Sequence, residues 1–174
     1  MDFKLTTQDV WSSTLVLGLS GLLLLLPLAF IFRNDNFQRA GLPITLTSAI
    51  AWGIVAMVAF RFAWEFYYQY LYPQWARRLG FASALFYGPV ALGMWWLSSR
   101  LPGSAVVWFA VIGGLEGVGE HLFGIYSLHI LEKVPWLRGI TPLPVVIFSF
   151  FEYILYWTAV AWIAYGCSRL GQHL

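Results

Sequence analysis

The chain has 174 residues, of which 60% are hydrophobic, 19% aromatic and only 10% charged, with a mean hydropathy of +0.71. Soluble domains carry about 25% charge, so these proportions exclude a soluble fold and a large soluble catalytic domain. Ten Lys+Arg against eight Asp+Glu are too balanced and too dispersed to form a nucleic-acid-binding face. The single cysteine, Cys167, excludes an internal disulfide, a multi-thiolate zinc site and an iron–sulfur cluster held by this chain alone.

Apolar runs of about 18 residues or more are long enough to cross a hydrocarbon core of about 30 Å, which predicts an all-α polytopic membrane protein. The expected architecture is one domain, a bundle of five transmembrane helices at about 11–32, 43–72, 79–97, 104–131 and 142–166. The first span follows Lys4 without a small-residue cleavage signature and reads as an uncleaved helix, ending at Arg33-Asn34-Asp35-Asn36. The second begins at Pro43 and stops before Pro73; at about 1.5 Å per residue it measures about 45 Å and must tilt or emerge. The third contains Gly88-Pro89, a kink signal, and Ser104 after Pro102-Gly103 is the expected N-cap of the fourth. The fifth starts around Pro142. With five crossings, Lys4, Arg77, Arg78, Lys133 and Arg138 share the N-terminal side, with Arg61 if it snorkels, against Arg33, Arg39, Arg100 and Arg169 on the other. That bias leans toward a cytoplasmic N-terminus. Tyr67, Tyr68, Tyr70, Tyr72 and Trp75 cluster at the end of the second span, as aromatic residues do at a headgroup boundary.

The acids carry the chemical information. Asp2, Asp9 and Asp35 lie in termini or a loop, whereas Glu65, Glu116, Glu120, Glu132 and Glu152 lie in or at the ends of expected helices. A carboxyl at membrane depth costs several kcal/mol on insertion scales and therefore faces a protein interior or cavity. At 100° per residue, Arg61, Glu65, Tyr68 and Tyr72 share one side of the second span. Glu116 and Glu120 share a side of the fourth, and Ser149, Glu152 and Tyr156 a side of the fifth. Gly113, Gly117 and Gly124 flank the Glu116/Glu120 side and allow close helix approach.

Carboxyls that converge in a low-dielectric site cannot all ionise, so at least one of Glu65, Glu120 and Glu152 is expected to stay protonated, with Arg61 keeping a neighbour charged. An acid and a base side by side suit isomerase- or redox-type proton transfer, or proton exchange, on a lipid-soluble quinone, isoprenoid or sterol. In that reading Glu65, Glu120 and Glu152 handle protons, Arg61 sets their pKa values, Glu116 is the second acid on the fourth helix, and Tyr68, Tyr156, Trp157 and Ser149 hold the substrate. The bland alternative is that Arg61 and Glu65 neutralise each other and the remaining glutamates are helix–helix hydrogen-bond partners. A non-catalytic small subunit of a larger energy-transducing or photosynthetic membrane complex, or a proton or ion transporter, also fits the size and composition.

No cofactor is required by the sequence. A carboxylate di-iron centre needs Glu-x-x-His on two helices; this chain has none, and His129-x-x-Glu132 reverses the order. His121 and His129 are the metal or pigment candidates, but both fall on one expected helix and so cannot clamp a bis-histidine heme. The expected partners are the lipid bilayer, a lipid-soluble small molecule, and further copies or membrane-complex subunits.

The Arg61/Glu65 spacing, the Gly88-Pro89 pair and the Phe151-Glu152…Trp157 stretch weakly resemble the emopamil-binding-protein class of sterol isomerases. The pattern departs from that class where Arg61 replaces histidine, where the third span lacks a glutamate, and where Glu152 replaces asparagine. The resemblance covers a few dozen positions and assigns no family.

Overall fold

The structure, a computed structural model, describes residues 4–34 and 68–171. Among them every regular element is helical: α1 (Thr7–Asn34), α2 (Ala76–Ser98), α3 (Ala105–Ser127), the single turn α4 (Ile130–Lys133), a 3-10 turn at Pro135–Leu137, and α5 (Pro142–Gly171). Helices α1, α3 and α5 are long and apolar enough to cross a membrane. The expected second span lies outside the described residues, except for a helical turn at 68–71 that ends before Pro73.

Local chemistry sets the helix ends. Thr6 Oγ1 accepts from the backbone N–H of Asp9 at 3.2 Å, and the Asp9 carboxylate accepts in return from Thr6 N (2.8 Å) and Thr6 Oγ1 (2.6 Å). This reciprocal box satisfies amides that the first turn of α1 leaves without helical partners. Ser104 accepts from Val107 N at 3.5 Å, so α3 starts where the sequence places its cap. At its other end the helix is shorter than expected. The predicted span to residue 131 stops at Ser127, because His129 adopts φ 56°, a left-handed conformation that a right-handed helix cannot continue. Residues 128–141 then fold as a cap containing α4 and the 3-10 turn, with Ile130, Val134 and Ile140 buried beneath it. Helix α5 extends past the expected residue 166 to Gly171.

Helix α5 is the organising element, packed most extensively against α3 and next against α1, while α2 leans on α3. Val10, Ile125 and Val145 meet in a cluster at one end of the bundle, and Leu28, Phe109 and Trp157 meet in the larger cluster toward the other. Helices α1 and α5 therefore run in the same direction and α3 opposes them. The outward side of α1, with Leu15, Val16, Leu19, Leu22, Leu23 and Leu26, stays exposed. Such a surface is stable only where the surroundings are as apolar as the side chains.

Candidate functional site

Three glycines of α3 bring α5 unusually close. A Cβ on Gly113 would fall inside the Trp157 indole, one on Gly117 inside the Tyr153 ring, and one on Gly114 would stand 2.7 Å from Phe150 Cε2. Only hydrogen fits at these positions, so the aromatic side chains of α5 lie directly on the α3 backbone. Their polar tips then reach past it to the carboxyls one turn away.

Trp157, fully buried, donates from Nε1 to Glu116 Oε2 at 3.1 Å. Tyr153 Oη donates to Glu120 Oε2 at 2.5 Å, and Tyr87 Oη from α2 reaches the same oxygen at 2.9 Å and Oε1 at 3.2 Å. The two hydroxyls are also 3.0 Å apart. Three oxygens thus form a triangle between three helices. The tyrosines bring two hydroxyl protons to its three contacts, and a third proton on the Glu120 carboxyl would fill the remaining one. The triangle can accommodate either count while its oxygens stay in place.

Glu152 belongs to the edge of the same cluster. His121 Nε2 stands 3.9 Å from Glu152 Oε2, while His121 Nδ1 is 3.0 Å from the Gly117 carbonyl of its own helix. A carbonyl oxygen only accepts, so Nδ1 donates in this bond, leaving Nε2 toward Glu152. The His121 ring also meets the Tyr153 ring edge to face at 5.9 Å, which links the pair to the triangle. On the other side Tyr156 packs against Tyr87 (5.8 Å), Tyr153 (5.9 Å) and Trp157 (5.0 Å), giving the carboxyls an aromatic wall.

The sequence-derived candidates separate into three groups. Glu116, Glu120, Glu152, His121, Tyr156 and Trp157 come together across α3 and α5. Ser149 is buried, but its hydroxyl donates to the Val146 carbonyl at 2.8 Å and so serves its own helix. Tyr68 lies at the opposite end of the bundle, packed on the Val10 cluster, and His129 is exposed beyond the end of α3. Arg61 and Glu65 lie outside the described residues. Among the described residues, no three His, Cys, Asp or Glu side chains converge as a metal site.

Sequence reasoning missed Tyr87 and Tyr153, which hold Glu120. Tyr153 carried a usable signal: it lies four residues from Trp157, at the spacing that Gly113 and Gly117 show on the facing helix. Tyr87 carried none beyond its place before the Gly88-Pro89 kink. No protein-family model, curated protein or solved structure matches this chain.

Proposed function

We propose that this chain is a five-span membrane protein that exchanges protons with a lipid-soluble molecule, such as a quinone, an isoprenoid or a sterol, at the Glu116–Glu120–Glu152 cluster. The Glu120–Tyr87–Tyr153 triangle carries the reading. A carboxyl touching two phenolic hydroxyls can take up or give away one proton by turning a hydroxyl hydrogen while the oxygens stay in place, which is what a general acid–base site requires. Glu120 is the exchanging group, Glu116 the second acid on α3, and Glu152 the group facing the substrate. Tyr156 and Trp157 position its apolar body. In this reading the N-terminus faces the cytoplasm.

Difference infrared spectroscopy of the reconstituted protein tests this. Adding a benzoquinone, an isoprenoid alcohol or a sterol in turn should perturb a carboxyl band for one class of compound, and Glu120→Gln should remove that response while leaving the folded yield unchanged. A silent spectrum with all three classes, or a response that survives in Glu120→Gln, would sink the proposal.

A further inference from the structure

The end of the bundle where α1 begins carries a second arrangement of charge, unconnected with the carboxyl cluster. The connection between α3 and α5 is a folded cap: Val134 is fully buried, Ile130 nearly so, and Leu5 N donates to the Trp136 carbonyl at 3.1 Å. That bond lays the start of the chain along the cap and brings Lys4 Nζ to 3.9 Å from where a Cβ on Gly139 would stand. Lys4, Lys133 and Arg138 are exposed on this base. Arg138 is held by donation from Nε to the Glu132 carbonyl at 2.9 Å, which leaves its terminal amino groups directed elsewhere.

Two acids lie on the same side of the bundle, Asp9, whose carboxylate accepts from Thr6, and the exposed Glu132 beside Lys133; among the described residues Lys4, Lys133 and Arg138 form no ion pair with either. The cap lies just beyond the ends of two membrane-crossing helices, Ser127 of α3 and Pro142 of α5, and Trp136 packs edge to face on Tyr70 at 5.2 Å, an aromatic pair of the kind that sits at headgroup level. The exposed Arg78, stacked 5.1 Å from the Trp75 ring, belongs to the segment that follows Tyr70.

We propose that Lys4, Lys133 and Arg138 form a binding site for the phosphate headgroup of an anionic phospholipid. Three cations on one folded cap beside the membrane-crossing helices match a group with negative oxygens pointing out of the bilayer, and the bond that holds Arg138 beforehand lowers the ordering cost of binding. Arg138 offers its two terminal amino groups in the fork geometry that suits phosphate oxygens, Lys4 adds charge beside the neighbouring Gly139, and Lys133 adds a third cation from the same cap.

Native mass spectrometry of the full chain, released from mixed phosphatidylglycerol and phosphatidylcholine micelles, tests the site. The wild-type protein should retain phosphatidylglycerol in preference to phosphatidylcholine, with a preference that declines as salt rises. At about 1 kcal/mol per cation, the triple variant Lys4→Gln/Lys133→Gln/Arg138→Gln should bind phosphatidylglycerol on the order of a hundredfold more weakly. Each single variant should lose about fivefold, which decides the matter should the triple variant fail to fold. Arg100→Gln, which removes a cation at the opposite end of the bundle, should change nothing. No headgroup preference in the wild type, undiminished binding in the folded variants, or an equal loss in Arg100→Gln would overturn the proposal.

Discussion

Toward α3, helix α5 turns Tyr153 and Trp157, whose polar tips reach carboxyls; toward α1 its contacts are mostly hydrocarbon, with one indole, Trp162, bonded to a backbone carbonyl. Both contacts use the same device, glycine on the opposing helix. Gly113, Gly114 and Gly117 admit Trp157, Phe150 and Tyr153, whereas Gly18 admits Phe151 and Gly21 admits Ile154. The fit differs in tightness. A Cβ on Gly18 would stand 3.1 Å from Phe151 Cδ1 and one on Gly21 3.3 Å from Ile154 Cγ2, distances that a small side-chain movement relieves, while the α3 positions leave no room. The tight contact is the one that encloses carboxyls. In a bilayer there is little hydrophobic drive between helices, so close backbone approach and hydrogen bonding must hold the α3–α5 pair, while the α1–α5 contact is looser and encloses no carboxyl.

The strongest way to break this contrast is Gly117→Ala. The added methyl displaces the Tyr153 ring and separates it from Glu120, and the expected loss is about 3 kcal/mol, at the upper end for overpacking, read as equilibrium unfolding in mixed micelles. Next comes Trp157→Phe, which keeps an aromatic body but removes the donor to Glu116; about 2 kcal/mol should be lost, and a value near zero would mean the bond is idle. A double-mutant cycle between Tyr87→Phe and Tyr153→Phe sharpens the point, since two donors to one carboxyl should show a coupling of about 1 kcal/mol rather than simple addition. At the small end lies Gly18→Ala. Its helix-propensity gain offsets the mild contact with Phe151, so the change should stay within about 0.5 kcal/mol, and a loss as large as that of Gly117→Ala would erase the distinction between the two faces.

The same contrast explains what could be read from the sequence. The starts of α3 and α5 were legible because Ser104 and Pro142 are local signals, and the Glu116/Glu120 stripe and its glycines were legible because helical periodicity needs no partner. The end of α3 was not, since the left-handed residue is His129 where such a position favours glycine. The tyrosines of the triangle were hidden for another reason. In a chain with 19% aromatic residues, Tyr87 and Tyr153 look like packing or belt residues until α2 and α5 are placed on either side of Glu120. Pairing across helices is a tertiary fact. The apolarity of α1 was the plainest signal in the chain, yet α1 buries 17% of its most apolar stretch where α5 buries 39%. Hydropathy reports the solvent a helix faces and is silent about which helix carries the site.

One bond bears on how the protein is made. The Leu24 carbonyl of α1, three residues before the helix-interior Pro27, accepts from Trp162 Nε1 at 2.9 Å, a partner 138 residues later in the chain. Synthesis runs from the N-terminus, so α1 enters the bilayer long before that indole exists, and α3 likewise waits for Tyr153 and Trp157. The bundle therefore closes only when its last helix arrives. A chain interrupted before Pro142 would leave α3 in lipid with Glu116 and Glu120 deprived of their α5 donors, a state that cellular quality control could distinguish from the finished protein without any dedicated signal.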